Sequence, residues 1–392
     1  MPKPTEELAQ LREQGLERVL HPLDSPAGIR VIRSGKTLWN FASNDYLGLA
    51  SHPAIAEAFI EGIKKFGTGS TASRLICGTL APHLQLEAAL AEAKQSQAAL
   101  TFSSGFATAL GIIPAAVGKN DFVLLDKLSH ACLIDAAKLS GATIRVFPHN
   151  DLAKLKSLLS SIRAKSPDAQ ILVATESVFS MDGTICPLSN LLDVVEEFDA
   201  MLLLDEAHGF GVLGPTGMGL AEQENVAHRI TFQMGTLSKA AGLSGAYVCA
   251  SQDWIKLLIN KARPFIYSTA PPPAIARAAL TALQIIRSKE GAALRKTLRE
   301  NIATLTSGDS QIPIIPHILG SNEATLSAAN ALIDAGFLVP AIRFPTVPRN
   351  TARLRISLSA AHPPDAIKSL AINLSGRDLS PKDPPQSETP FS

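Results

Sequence analysis

The chain has 392 residues, 46% of them hydrophobic and 18% charged, and 36 Lys and Arg face 35 Asp and Glu for a net charge of +1. That length predicts two or three domains with sizeable buried cores. The even charge balance gives no basic stripe, so neither a nucleic-acid nor a membrane partner is expected.

The first residues, "MPKPTEELAQLREQGLERVL", predict a charged amphipathic helix ending near His21-Pro22, without the apolar segment of a signal peptide. A hairpin, "GIRVIRSGKTLWNF", follows with Ser34-Gly35 as its turn, completing an N-terminal segment over residues 1–45. Residues 46–275 then alternate helices with short apolar runs: "AALTF", "DFVLLD", "TIRVFP", "QILVATES", "AMLLLDE", "RITFQMGT" and "GAYVCA". These runs barely alternate, as strands buried on both faces do, and helical patterns fall between them. The pattern predicts a large α/β domain built on a mostly parallel sheet. The proline cluster at Pro271 to Pro273 opens a long helical stretch to about Leu305. Beyond it "PIIPHILG", "LVPAIRFPTV" and "ARLRISLSA" read as strands around the helix "NEATLSAANALIDAG", giving a smaller α+β domain over residues 276–375. Residues 376–392 are Pro/Ser-rich and polar, and are expected to be disordered. Cys77, Cys132, Cys186 and Cys249 form no C-x-x-C pair. Reduced thiols are expected rather than a disulfide framework, and no metal site is indicated. With no apolar run near the roughly 20 residues of a membrane span, a cytoplasmic location is expected.

Chemistry concentrates in "TFQMGTLSKAAGLSGAYV", where Lys239 sits among small and apolar residues. Desolvation there disfavours the ammonium form and favours a nucleophilic amine, the setting in which lysine forms a Schiff base with a carbonyl. Asp205 ends the apolar run of "AMLLLDEAHGFG", where a buried carboxylate calls for a cation such as a pyridinium nitrogen; the alternative is a structural helix cap. His208 lies three residues on, and His130 in "DKLSHACLIDAA" follows another strand and could stack on a ring. In "ALTFSSGFATALG" a strand, a glycine turn and a helix start place the N–H groups of Ser104, Gly105 and Phe106 where a phosphate is stabilised, and Thr236 offers a hydroxyl to the same group. Arg355 and Arg353 share one face of "TARLRISLSA", and either could grip a carboxylate; periodicity does not choose between them.

These residues lie in segments that resemble the α-oxoamine synthases, pyridoxal-phosphate enzymes of fold type I. The similarity runs from about Glu17 to His362 through "FASNDYLGLASHP", "GTGSTASRLICGT", "HLQLEAALA", "TESVFSMDGTICPL", "LLLDEAHGFGVLGPTG" and "GTLSKAAGLSGA". It implies a decarboxylative condensation of an amino acid with an acyl thioester. Pyridoxal 5'-phosphate is then held covalently by Lys239, which is also the base for the α-proton. Asp205 pairs with the pyridinium, His208 and Ser180 contact the phenolic oxygen, and His130 stacks on the ring. Gly105, Phe106 and Thr236 take the phosphate, with Ser268 or Thr269 supplied from a second subunit, so a homodimer with active sites at its interface is implied. Arg355 would hold the amino-acid carboxylate near Asn44, with Arg18 and Arg343 at the mouth for the acyl substrate. Within the family, "AIRFPTVPRNTARLRISLSAAH" most resembles the members that join L-alanine to a pimeloyl thioester, on coenzyme A or acyl carrier protein. Sister members use glycine with acetyl or succinyl thioesters, or serine with a long acyl chain. Two departures stand out: Thr71 and Ala72 where relatives have more glycine, and Ala246 where many have a second glycine. A non-catalytic relative would lack Lys239 or Asp205, both present here, and no G-x-S-x-G elbow suggests a hydrolase.

Overall fold

The computed structural model describes residues 3–306 and 310–374, so the tail expected to be disordered lies outside the described residues. The chain divides into two compact units. One comprises Met1–Tyr46, Met181–Gly183 and Thr297–Ser392, and the other Leu47–Ser180 and Thr184–Lys296. No helix among the described residues is long and apolar enough to cross a membrane.

The N-terminal helix covers only Pro4–Glu13, shorter than its charge pattern predicts. Gly15 takes a positive φ of 63°, a conformation that ends a helix, and the residues to Pro22 are irregular. The hairpin forms as read, with β1 (Arg30–Arg33) antiparallel to β2 (Lys36–Asn40). Ser34 and Gly35 both have positive φ, the two-residue turn whose twist suits a hairpin.

The second unit is built on β3 (Ala98–Phe102), β4 (Phe122–Asp126), β5 (Thr143–Phe147), β6 (Ile171–Glu176), β7 (Met201–Asp205), β8 (Phe232–Thr236) and β9 (Ala246–Ala250). These are the seven apolar runs, in the order β3-β9-β8-β7-β6-β4-β5. β8, β7, β6, β4 and β5 are parallel, and β9 alone runs against its neighbours β3 and β8. All residues of β6, β8 and β9 are buried, which is why their sequences do not alternate. The helix Gly105–Ala116 lies close on the sheet: a Cβ on Gly111 would meet the Phe102 ring at 2.9 Å. Because β9 reverses, β3 ends on the same edge as the parallel strands. That edge therefore gathers the C-termini of β3, β4, β6, β7 and β8, where open α/β sheets bind ligands.

In the first unit β10 (Ile314–Gly320) and the two-residue β12 (Ala341–Ile342) flank β13 (Ala352–Ser357), all antiparallel, while β11 (Phe337–Leu338) adds parallel to β2. The segment read as one strand, "LVPAIRFPTV", is thus two strands in two sheets. Pro340 breaks it, having no N–H to continue a ladder. The helical stretch after the prolines likewise divides, into Pro273–Arg287 and Lys289–Leu305. Ser288 Oγ donates to the Ile285 carbonyl and accepts the Glu290 N–H at the break.

One buried ion pair anchors the edge. Arg74 Nη1 and Nη2 grip Glu87 at 2.8 and 3.0 Å, and Glu87 Oε1 also accepts the N–H (2.9 Å) and hydroxyl (2.8 Å) of Thr101 in β3. Thr101 lies three residues before Ser104, so the pair fixes the strand that leads into the glycine turn. Just upstream, Thr71 takes a φ of 59°, a left-handed conformation disfavoured for a β-branched residue. Removing Glu87 leaves a buried guanidinium uncompensated. Glu87→Ala should therefore lower the unfolding free energy by about 3–5 kcal/mol, read by denaturant titration. A loss under about 1 kcal/mol, typical of exposed pairs, would show that solvent already screens Arg74.

Candidate active site

Lys239 lies in the loop between β8 and β9. Its Nζ is 2.7 Å from Nε2 of His208, which follows β7 and is almost fully buried. Lys239 itself is half-buried, and its neighbours are polar groups rather than the purely apolar surroundings that the small residues around it suggest. The loop is tightly set: Gly242 has a φ of 69°, and a Cβ there would come within 2.4 Å of the Ala50 backbone nitrogen.

Asp205 closes β7 at 5% exposure, with its Oδ1 accepting the N–H of Ala207 at 2.8 Å. Burial raises its pKa, and the nearby Lys239 charge pulls the other way. Its partner across the β6–β7 ladder is Glu176, 2% exposed, whose carboxyl is pushed up to about 8 by burial and by the Asp205 charge. Two carboxyls therefore stand at neighbouring strand ends, beside one lysine. A ring cation against Asp205 would hold it ionised.

His130 follows β4 and caps the helix Ala131–Ser140. Its own N–H donates to Glu176 Oε1 at 2.7 Å. Its Nδ1 accepts the N–H of Cys132 at 3.2 Å and lies 3.0 Å from Cys132 Sγ. Partial desolvation lowers the imidazole pKa, Lys239 acts in the same direction and Asp205 opposes them. The ring is thus neutral near pH 7, as a stacking partner should be. Burial also drives the Cys132 thiol upward, so it stays protonated.

At the far side of the sheet Ser104 caps the helix Gly105–Ala116, its hydroxyl accepting the N–H of Ala107 at 3.1 Å. A Cβ on Gly105 would meet nothing within 4 Å, which leaves open space at that helix start. Phe102 and Thr236 pair with Ala246 from its two sides, so β9 alone separates the glycine turn from Thr236. Thr236 Oγ1 donates to the Gly245 carbonyl (3.0 Å) and lies 2.6 Å from Ser238 Oγ. It therefore serves the loop, while the exposed Ser238 presents a second hydroxyl that the sequence reading did not single out.

Ser180 follows β6 in a hairpin closed by the bridge Val178–Ile185. His149 braces that hairpin, with Nδ1 3.1 Å from Asp126 Oδ1, Nε2 2.8 Å from Thr184 Oγ1 and its ring edge-on to Phe179. Thr269 is exposed and bridged to Ser73.

The arginines belong to the other unit. Arg355 Nη1 reaches Asn44 Oδ1 at 3.1 Å and Ser357 Oγ at 2.7 Å, and Tyr46 OH donates to the same Asn44 oxygen at 3.2 Å. Arg353, its equal by periodicity, binds Asp182 at 2.6 Å and has its charge committed to that carboxylate. Asp182, distant in sequence, thus distinguishes two arginines that the strand pattern leaves equivalent. Arg343 Nη1 donates to the Gly15 carbonyl, three residues before the exposed Arg18. Glu176, Cys132 and Ser238 are the site-edge residues that sequence reasoning missed. Glu176 had one visible signal, an acid closing an apolar run just as Asp205 does.

The chain matches the family described as aminotransferase class I and II over residues 36–374. It is 45% identical over 365 residues to 8-amino-7-oxononanoate synthase of Geobacter sulfurreducens, covering 91% of this chain and 93% of that protein. It is 46% identical over 372 residues to the same enzyme of Maricaulis maris, covering 94% and 93%. Among solved structures, serine palmitoyltransferase from S. paucimobilis with bound PLP–myriocin superposes at a TM-score of 0.88 with 28% identity, covering 94% of this chain and 95% of that one. The 8-amino-7-oxononanoate synthase of Francisella tularensis gives a TM-score of 0.73 at 30% identity, covering 86% and 96%. The chain belongs to the 8-amino-7-oxononanoate synthases, within the aminotransferase class I and II family.

Proposed function

We propose that this protein is a pyridoxal-phosphate-dependent acyltransferase of biotin synthesis. It condenses L-alanine with a pimeloyl thioester to 8-amino-7-oxononanoate, carbon dioxide and free thiol. The observation that carries the reading is the Lys239–His208 contact at the strand edge that Asp205 closes, in a chain 45% identical to enzymes of that name.

The residues fit the cofactor. Asp205 is a buried carboxylate suited to a pyridinium, Lys239 an amine for the aldehyde, and the start of the helix Gly105–Ala116 an anion site with open space at Gly105. When bound, pyridoxal phosphate supplies an electron sink for the carbanion at the alanine α-carbon. Lys239 would hold the cofactor through Nζ, and the same amine would serve as the base for the α-proton. His208, 2.7 Å from Nζ, orients that amine and would contact the phenolic oxygen together with Ser180. His130 would stack on the ring. Gly105, Phe106 and Thr236 would receive the phosphate, Thr236 by turning its hydroxyl from the Gly245 carbonyl, with Ser104 holding the helix start in place. Arg355, braced by Asn44 and Ser357, grips the alanine carboxylate, while Arg18 and Arg343 receive the acyl chain.

A cytoplasmic homodimer completes the proposal. Leu75, Ile76 and Tyr267 are 51%, 79% and 71% exposed, and they lie in the two segments that the Ser73–Thr269 bridge joins. A second copy covering these exposed apolar residues would bring Thr269 to its neighbour's phosphate.

Three outcomes test this. The purified protein with pyridoxal phosphate should absorb in the visible, and borohydride should fix the cofactor to Lys239; a colourless protein with no such adduct sinks the reading. Arg355→Lys should raise KM for alanine by roughly tenfold or more, because an ammonium cannot make the bidentate grip; an unchanged KM would place the carboxylate elsewhere. Alanine should be favoured over glycine by about 10–200-fold in kcat/KM with pimeloyl thioester, the range one methyl group allows. Preference for glycine or serine would move the protein to a sister activity.

A further inference from the structure

We infer that Glu176 is a positioning residue of the active site: from the end of β6 its carboxyl holds the backbone of His130, and through it the plane and tautomer of the His130 ring. The inference rests on the proposed cofactor site. The resemblance gives His130 a place on the cofactor ring but says nothing of what fixes it.

The geometry supplies the mount. His130 is exposed, and it begins a helix, where a side chain is free to swing. Two contacts hold it from opposite ends. Glu176 Oε1 takes the peptide N–H of His130 at 2.7 Å, a short bond across two strand ends 46 residues apart in sequence. Cys132 takes the ring, its N–H donating to Nδ1 at 3.2 Å with Sγ 3.0 Å away. An Nδ1 that accepts puts the imidazole proton on Nε2. The Cys132 bond exists only if the backbone at His130 keeps the capping conformation, with φ near −58° and ψ near 146°. Glu176 is what ties that residue to the sheet. At 2% exposure Glu176 is shielded from solvent, and Asp205 stands beside it in register, so the acid that faces the ring nitrogen and the acid that mounts the ring are neighbours on one edge.

Either oxygen of a carboxyl, or the amide oxygen of glutamine, can accept a peptide N–H. Glu176→Gln should therefore recover most of the function that Glu176→Ala loses. The measurement is a double-mutant cycle on the full-length enzyme with His130→Ala. Glu176→Ala should lower kcat roughly tenfold with little change in KM for alanine, the size expected for losing one hydrogen bond. In the His130→Ala background the same change should cost no more than about twofold, because its effect runs through the ring. The visible circular dichroism of the bound cofactor should change with Glu176→Ala and return with Glu176→Gln. Equal losses in both backgrounds would show that Glu176 acts elsewhere and would overturn the assignment.

A readout without cofactor separates this inference from the functional reading. With 15N-labelled histidine, His130 in the cofactor-free protein should show a single tautomer protonated at Nε2, which Glu176→Ala converts to an exchanging mixture. Should Glu176→Ala fail to fold, the unmutated protein still decides: a His130 ring already exchanging between tautomers refutes the mount even if the cofactor binds as proposed.

Discussion

Burying two carboxyls at adjacent strand ends is the constraint around which the large sheet's ligand edge is arranged. Asp205 and Glu176 pair across β6 and β7 at 5% and 2% exposure, where neither can be solvated. An isolated buried carboxylate costs several kcal/mol, so the surrounding chain must supply donors and positive charge. It does so from successive loops. The turn after β7 gives the Ala207 N–H to Asp205, the turn after β4 gives the His130 N–H to Glu176, and the loop after β8 brings Lys239. Each of these loops is the one a parallel sheet places on that edge, so the electrostatic need and the strand order specify the same location.

Much of this was legible in the chain. The seven buried strands read correctly because strands covered on both faces need continuous apolar residues, a local property. Asp205 and Lys239 were visible because each contrasts with its immediate neighbours. What stayed hidden depends on register and on partners far away. Glu176 gains its meaning from lying opposite Asp205 and below His130, neither of which a single segment announces. Arg353 and Arg355 are equivalent by alternation, and Asp182, 171 residues from Arg353, separates them. Gly15 ends the first helix where its charge pattern would carry on, and Pro340 splits a strand that its apolar residues would continue. In both, a single backbone constraint outweighs a side-chain pattern.

The arginine group shows the same principle in the other unit. Asn44 and Tyr46 come from a loop, yet they are tied to the strand that carries Arg355 and its continuation. Ser357 N–H donates to the Phe41 carbonyl, Ser359 Oγ to the Asp45 carbonyl and Ala360 N–H to the Tyr46 carbonyl. His362 stacks on Phe41 at 4.2 Å, and burial lowers its imidazole to about 4, so it stays neutral. A guanidinium that must meet a carboxylate bidentately needs its direction fixed to within tens of degrees. The stitching of residues 40–46 to residues 355–362 fixes that direction.

The acid pair also sets how stability depends on pH. A carboxyl whose folded pKa is raised binds its proton more tightly in the native state than in the unfolded chain, so stability falls as pH rises between the two values. For Glu176 the interval runs from the ordinary 4.5 up to about 8. Asp205 contributes with the same sign, its pKa also being raised. The penalty is greatest above that interval, where both groups are driven to ionise beside each other. A cation held against Asp205 reverses its share, because it favours the ionised form that burial disfavours. Cofactor binding and the charge of these carboxyls are then linked. The arrangement that makes the edge unfavourable to fold alone is the one suited to a cation beside Asp205, and Glu176, which takes a peptide N–H instead, can remain protonated while Asp205 carries the charge.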